Sequence, residues 1–176
     1  MAPRRRCCDW ARSLPPTPEP SDDEPDRQEL RDVLDEQRRA VADALDGLTG
    51  AEIRSTPLAS AMSVGGIVQH LGYIERWWFT RVFAGDDVEF PWNRAEPDAA
   101  FRLSDELTVD QLRTFFVGEC KRSDVVIDAA ELGDLAARPK YPVTLRWIVL
   151  HMIEETARHL GHLDLLRDEV LALRQR

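Results

Sequence analysis

The chain has 176 residues, of which 43% are hydrophobic, and this is enough to form one ordinary domain with a sizeable core. Its formal net charge is -9 and only two of its residues are lysines, so it lacks the clustered positive charge that binds nucleic-acid phosphates. No run of the sequence approaches the roughly 18 apolar residues of a membrane-spanning helix. We therefore expect a cytoplasmic protein with neither a nucleic-acid nor a membrane partner.

Residues 1–25 have the composition of a disordered tail. They contain six of the eleven prolines and end in the acidic run Ser21–Glu24, so they cannot bury enough apolar surface to offset the entropy of ordering. The basic start, Arg4–Arg6, is not followed by the apolar run of a signal peptide. A docking peptide built on these arginines and Trp10 is the functional alternative. We place the folded domain over residues 26–176.

The first two helices are predicted from apolar residues spaced three and four apart. The first spans residues 27–48. The second begins at an N-cap, Ser63, and ends at Gly85. Residues 86–107 then contain prolines and charged residues without a regular period, and they are predicted to form a long crossover loop.

Two further helices complete the predicted domain. The third begins near Thr108 and continues to Ile127, and the fourth is capped by Thr144. No alternating strand pattern and no solenoid repeat is found. The elements predict an all-α protein, a four-helix bundle with a long crossover loop and a disordered N-terminal tail. Metal and cofactor sites of such bundles are built from side chains on facing helices.

Three of the four histidines lie on one face of the fourth helix. At about 100° per residue, one stripe carries both ionisable and apolar side chains: His151, Glu155, His159 and His162 with Ile148, Met152 and Leu166. Ionisable groups on a buried face cost several kcal/mol unless they are paired or bind a metal. The pattern therefore favours a metal site. The alternative is that these side chains pair with one another along the helix.

A fourth histidine, His70, is predicted to point into the core from the second helix, on the face of Ile67 and Ile74. Together with Glu155 and His159, which are one turn apart, it gives three side chains that can converge on one ion. Three protein ligands leave at least one coordination position open, which is the arrangement of a catalytic metal site. We predict these three residues as the metal ligands.

Several segments together resemble the DinB/YfiT-like superfamily, over residues 27–172. The matching segments are Ser63–Leu71, Glu75–Phe79, Glu155–His162 and Leu165–Arg167. The chain is most similar to the branch found in bacteria that use mycothiol. The resemblance implies a four-helix bundle in which one residue of the second helix and two residues near the last helix bind a divalent ion.

Carried over to this chain, the resemblance implies the ligands His70, Glu155 and His159. Many members have histidine where this chain has Glu155, but the domain of the mycothiol-dependent maleylpyruvate isomerases has a glutamate there. We expect zinc or nickel first, with iron or manganese also open. His162 and His151 remain candidate catalytic residues beside the ion.

The resemblance also implies a function. The understood enzymes of the superfamily are thiol-dependent S-transferases and isomerases, so we expect a metal-dependent thiol S-transferase that joins mycothiol to a small electrophile such as a toxin or an antibiotic. One alternative is a hydrolase with His162 or His151 as general base. The other is a metal-binding stress protein without turnover. Homodimer formation also stays open.

The cysteines and tryptophans offer weaker signals. Cys7, Cys8 and Cys120 are too few and too badly placed for a disulfide framework, so we expect free thiols. Cys120 lies on an apolar helix face and is expected to be buried and inert. The tryptophans are expected either as plain core residues or as walls of a pocket between the second and fourth helices: Trp77, Trp78 and Trp92.

Overall fold

The computed structural model describes residues 24–60 and 62–175. Four α-helices lie in these ranges: α1, Glu24–Asp43; α2, Val64–Glu75; α3, Val109–Asp128; and α4, Leu145–Leu173. The predicted all-α four-helix bundle is confirmed. Within the same ranges, no helix combines the length and the apolarity needed to cross a lipid bilayer. The predicted tail lies outside the described residues except at its end, where α1 already begins at Glu24.

The first helix differs from its predicted bounds at both ends. It begins at Glu24 instead of Arg27 and ends at Asp43 instead of Leu48. The apolar spacing does continue to Leu48, which is buried. However, the chain beyond α1 runs through turns, with Gly47 at a φ of 69°, and a turn can bury its apolar side chains as a helix does. Periodicity alone therefore overestimated the length of this helix.

Three of the four helices begin at a hydroxyl-bearing residue. Ser63, Thr108 and Thr144 each accept a hydrogen bond, through the side-chain oxygen, from a backbone N–H three residues later. At Thr108 the Gln111 side chain also accepts from the Thr108 N–H, which completes a capping box. The N-caps predicted at Ser63 and Thr144 are thus confirmed.

The second predicted helix consists of two kinds of helix. After α2, the chain continues without a break into a π-helix, Arg76–Phe83, in which the Ala84 N–H donates to the Phe79 carbonyl five residues earlier. The helical path ends at Gly85, whose φ of 85° suits glycine. The end point is as predicted, but the wider turns are not. π-Helical turns are rare and often occur at functional sites.

Contacts at both ends show that α1 and α4 run parallel. Near their beginnings, Arg146 of α4 donates to Asp26 of α1 over 2.8 Å. Near their ends, Arg167 donates to the Ala44 carbonyl just after α1, over 2.7 Å. Because the two helices are neighbours with the same direction, the chain must cross the bundle an odd number of times between them.

The second pair, α2 and α3, also runs parallel. Gly72 lies against the ring of Phe115, and one turn further along both helices Arg76 donates to Glu119. The chain must therefore return along the length of the bundle between the end of the π-helix and the start of α3. Residues 86–107 make this return, which confirms the predicted crossover loop and gives the reason for its length.

A layer of buried polar side chains crosses all four helices and separates two hydrophobic clusters. In α4, for example, Met152 belongs to one cluster and Leu163 to the other, with Glu155 and His159 between them. Every helix contributes at least one buried polar residue to this layer: Arg38, Glu75, Ser123 and Glu155. Buried polar groups need partners, so this layer is where specific chemistry is expected.

Candidate metal centre

Helix α4, which carries three of the four histidines, faces α2, and the two helices run in opposite directions. His70 of α2 meets His159 of α4 with ring centroids 5.1 Å apart, and Trp78, further along, meets the earlier residue His151, also at 5.1 Å. His70, Glu155 and His159 are 5%, 2% and 5% exposed. Each offers one ligand atom, and the three atoms lie within 4.8 Å of one another. The structure therefore brings the three predicted ligands together.

The distances between the ligand atoms are close to those of an occupied zinc site. Glu155 Oε1 lies 3.3 Å from His159 Nε2 and 3.8 Å from His70 Nε2. Two ligand atoms bound tetrahedrally to one zinc ion, with bonds near 2.1 Å, are about 3.4 Å apart. Small rotations of the side chains would bring all three atoms to that separation.

Three imidazole nitrogens of this group have no hydrogen-bond partner among the described residues: both nitrogens of His70 and Nε2 of His159. A buried polar atom without a partner costs about 1–3 kcal/mol. Pairing along the helix accounts for only part of this group, because Glu155 Oε1 lies 3.3 Å from His159 Nε2 while the two nitrogens of His70 keep no hydrogen bond among the described residues. A cation that accepts one lone pair from each imidazole would give a partner to one nitrogen of His70 and to Nε2 of His159, so these residues fit a metal ion.

Burial also keeps His70 in the form that can bind a metal. It lowers the pKa of His70 below the usual value of 6.5, and the nearby carboxylate of Glu155 only partly opposes this. The imidazole is therefore neutral at neutral pH. Only a neutral imidazole has a lone pair for a metal ion.

The crossover loop closes over His70. The ring of Phe101 stacks on the imidazole with centroids 4.1 Å apart. Gln69 fixes the loop by donating to the carbonyls of Ala100 and Arg102 over 2.8 Å and 3.0 Å. A Cβ on Gly66 would lie 2.5 Å from the Phe101 carbonyl oxygen, so glycine is needed for this close approach. The sequence gives no signal for Phe101, because an aperiodic loop does not reveal which helix it returns to.

Arg158 contacts Glu155 from the side away from the histidines. Its Nη1 donates to Glu155 Oε2 over 3.0 Å, while its other terminal nitrogen donates to Glu154. Sequence analysis did not identify this residue. A signal was present, since residues three apart on a helix are neighbours and an arginine three positions after a buried glutamate can pair with it.

His162, a candidate catalytic residue, lies against His159. The two Nδ1 atoms are 3.5 Å apart, so one ring can donate to the other while His159 Nε2 keeps facing Glu155. His162 is half-buried, and burial together with the positive charge of nearby Arg158 lowers its pKa. Its imidazole is therefore neutral at neutral pH, and it lies outside the three-residue group.

The other candidate, His151, is enclosed by two indoles. It stacks on Trp147 with centroids 5.3 Å apart and meets the ring of Trp78 edge-on. Burial lowers its pKa, so it too is neutral at neutral pH. Of the tryptophans predicted as pocket walls, Trp78 packs on this histidine, whereas Trp77 and Trp92 pack on each other with centroids 6.1 Å apart.

Two further features lie apart from the three-residue group. A shallow cleft of about 550 Å³ is lined by the segment after α1 and the start of α3, and none of the predicted site residues lines it. Cys120 is buried, as expected, and burial raises its pKa well above the ordinary value. Its thiol is therefore protonated at neutral pH and unsuited to act as a nucleophile.

Comparison with known proteins identifies one family and one similar fold. A family model described as mycothiol-S-transferase matches residues 29–171. A crystal structure of a conserved protein from Enterococcus faecalis is similar, with a TM-score of 0.59 and 19% sequence identity over 82% of this chain and 96% of that one. At this identity the likeness concerns the fold alone. No curated protein matches the chain.

Proposed function

The chain belongs to the mycothiol-S-transferase family, and from this membership and the buried cluster we propose that it is a divalent-metal-dependent thiol S-transferase. Membership supports a thiol-transferase function in general. The finer parts of the proposal are the metal ion, mycothiol as the co-substrate, and a small electrophile as the acceptor.

One observation carries the metal dependence. His70 and His159 hold three buried nitrogens without hydrogen-bond partners among the described residues, next to a carboxylate oxygen of Glu155. Neutral imidazoles and a carboxylate suit zinc, nickel, iron or manganese, and we propose zinc or nickel first. His151 and His162 lie outside the group, which supports a site with three protein ligands and an open position.

The protein residues have separate tasks in the proposed reaction. His70, Glu155 and His159 hold the ion, and Phe101 covers His70 from the loop side. When bound, a divalent ion supplies positive charge that lowers the pKa of a thiol, so that the sulfur is a thiolate nucleophile at neutral pH. The sulfur forms a bond to an electrophilic carbon, and the leaving group departs with its bonding electrons. The thiol proton goes to a base.

His162 fits the role of this base better than His151. A base must meet the substrate or water, and His162 is half-buried beside His159, whereas His151 is enclosed between Trp78 and Trp147. Neutral His162 can accept a proton at neutral pH. We therefore assign proton acceptance to His162.

The test is a panel of thiols against model electrophiles, with metal-replete full-length protein. We expect conjugation with mycothiol above the uncatalysed rate, and less or none with bacillithiol and glutathione. The variant Glu155→Gln should lose the activity, whereas Glu154→Gln, an exposed neighbour on the same helix, should keep it. Metal-dependent ester or amide hydrolysis without conjugation would assign a hydrolase instead. No turnover of either kind would leave a metal-binding protein.

A further inference from the structure

We propose that Arg158 is a positioning residue that makes Glu155 a one-oxygen ligand, an inference that rests on the proposed metal centre. The two carboxylate oxygens have different partners. Oε1 lies 3.3 Å from His159 Nε2 and 3.8 Å from His70 Nε2, whereas Oε2 accepts a hydrogen bond from Arg158 Nη1 over 3.0 Å. One oxygen thus faces the ligand cluster and the other faces the guanidinium.

The hydrogen bond from Arg158 to Oε2 of Glu155 is strong for two reasons. First, Glu155 is only 2% exposed, so its carboxylate has little contact with water while Arg158 covers it, and a charge-assisted hydrogen bond is about twice as strong as a neutral one. Second, Arg158 stays charged at neutral pH and does not depend on its other partner, because its ion pair with the exposed Glu154 is screened by water and adds little. Its side chain is 47% exposed, so the guanidinium bridges a buried and an exposed carboxylate at the surface of the bundle.

The consequence concerns the number of coordination positions. A carboxylate that binds an ion through both oxygens occupies two positions, and one that binds through a single oxygen occupies one. With Oε2 held by Arg158, the protein contributes three atoms from three residues. The hydrogen bond from Arg158 therefore keeps a position free for a substrate atom. A histidine in this place would need no such hydrogen bond, because it binds an ion through one nitrogen.

The experiment uses full-length protein loaded with Co²⁺, whose d–d absorption weakens as the coordination number rises. Wild type, Arg158→Gln and Glu154→Gln are compared. Glu154→Gln is the matched control, because it removes the exposed partner of Arg158 and leaves the contact with Glu155 intact. We expect Arg158→Gln to show weaker absorption and a Kd for Co²⁺ about 10-fold higher, since loss of a group that orients a ligand costs about 10–100-fold in affinity.

A second variant distinguishes loss of the contact from loss of the fold. Arg158→Lys keeps the charge and one possible hydrogen bond to Oε2, so we expect it to restore most of the wild-type absorption. Absorption of Arg158→Gln identical to that of wild type, or an unchanged Kd, would overturn the inference. Wild-type protein that binds no Co²⁺ would overturn the metal centre and this inference with it. Wild-type protein that binds Co²⁺ but transfers no thiol would overturn the proposed function alone.

Discussion

The ring of Phe101 stacks on the imidazole of His70, with centroids 4.1 Å apart and planes 15° from parallel. Neither nitrogen of His70 has a hydrogen bond within the described part of the chain. A metal-binding histidine is usually oriented by a hydrogen bond from its second nitrogen. The stacked ring of Phe101 is the contact from the crossover loop that can hold this imidazole in place.

Removal of this ring should therefore weaken metal binding. For Phe101→Ala we expect a Kd for Zn²⁺ about 10-fold higher, the lower end of the range for groups that orient a ligand. Competition with a chromophoric chelator measures it. Phe90→Ala is the control, because Phe90 lies in the same loop but packs on Trp77 and Trp92. Equal affinity of both variants and wild type would show that Phe101 does not position His70.

Removal of a ligand should abolish stoichiometric metal binding. His70→Ala and His159→Ala each delete one of three ligands, and two remaining side chains cannot hold an ion against dialysis. Elemental analysis of the dialysed proteins is the measurement. His151→Ala should keep its metal, since His151 lies outside the cluster. The same metal content in all four proteins would exclude the site.

Metal affinity should fall with pH below about 6. A proton competes with the ion for each imidazole, and the reference pKa of histidine is about 6.5. Burial lowers the pKa of His70, so the neutral, metal-binding form persists to lower pH than in a free histidine, and competition begins only below that reference value. A titration at several pH values from 7.5 to 5 tests this. Constant affinity across the range would argue against histidine ligands.

Removing one partner of the buried ion pair in the polar layer should destabilise the protein far more than removing both partners. Arg38 donates to both oxygens of Glu75 over 2.8 Å and 2.6 Å, and both residues are almost fully buried. Arg38→Met leaves a buried carboxylate without its partner, and we expect a loss of about 3–5 kcal/mol in the free energy of unfolding. Urea denaturation measures it.

The double variant Arg38→Met, Glu75→Leu should recover much of that loss, because it buries no unpaired charge. An exposed pair gives the comparison: Arg102→Met, which removes the contact with Glu96, should cost under about 1 kcal/mol. Losses for Arg38→Met and Arg102→Met that are equally small would mean that the polar layer contributes no more than a surface pair.

Cys120 should resist alkylation in the folded protein. Burial raises its pKa, and only the thiolate reacts with iodoacetamide. Mass spectrometry of the peptide that contains Cys120 should show little labelling at neutral pH in native protein and full labelling in urea. Rapid labelling of the native protein would contradict the buried position of this thiol.

Much of the fold and part of the candidate site could be predicted from local patterns. Apolar residues at three- and four-residue steps predict the helices, and the hydroxyl groups of Ser63 and Thr144 predict where two of them begin. The same spacing predicted that Glu155 and His159 share a buried face and that His70 points inward, and the structure brings these three together. The metal ion itself stays a prediction.

Only the tertiary structure decided how these patterns combine. The parallel direction of α2 and α3 forces residues 86–107 back along the bundle, and this return sets Phe101 on His70. Arg38 and Glu75, far apart in sequence, meet in the same way. The physical reason is that periodicity is a local signal. It indicates which face of one helix is buried, because burial repeats every 3.6 residues. It carries no information on which distant residue that face meets, since this depends on the packing of the whole chain.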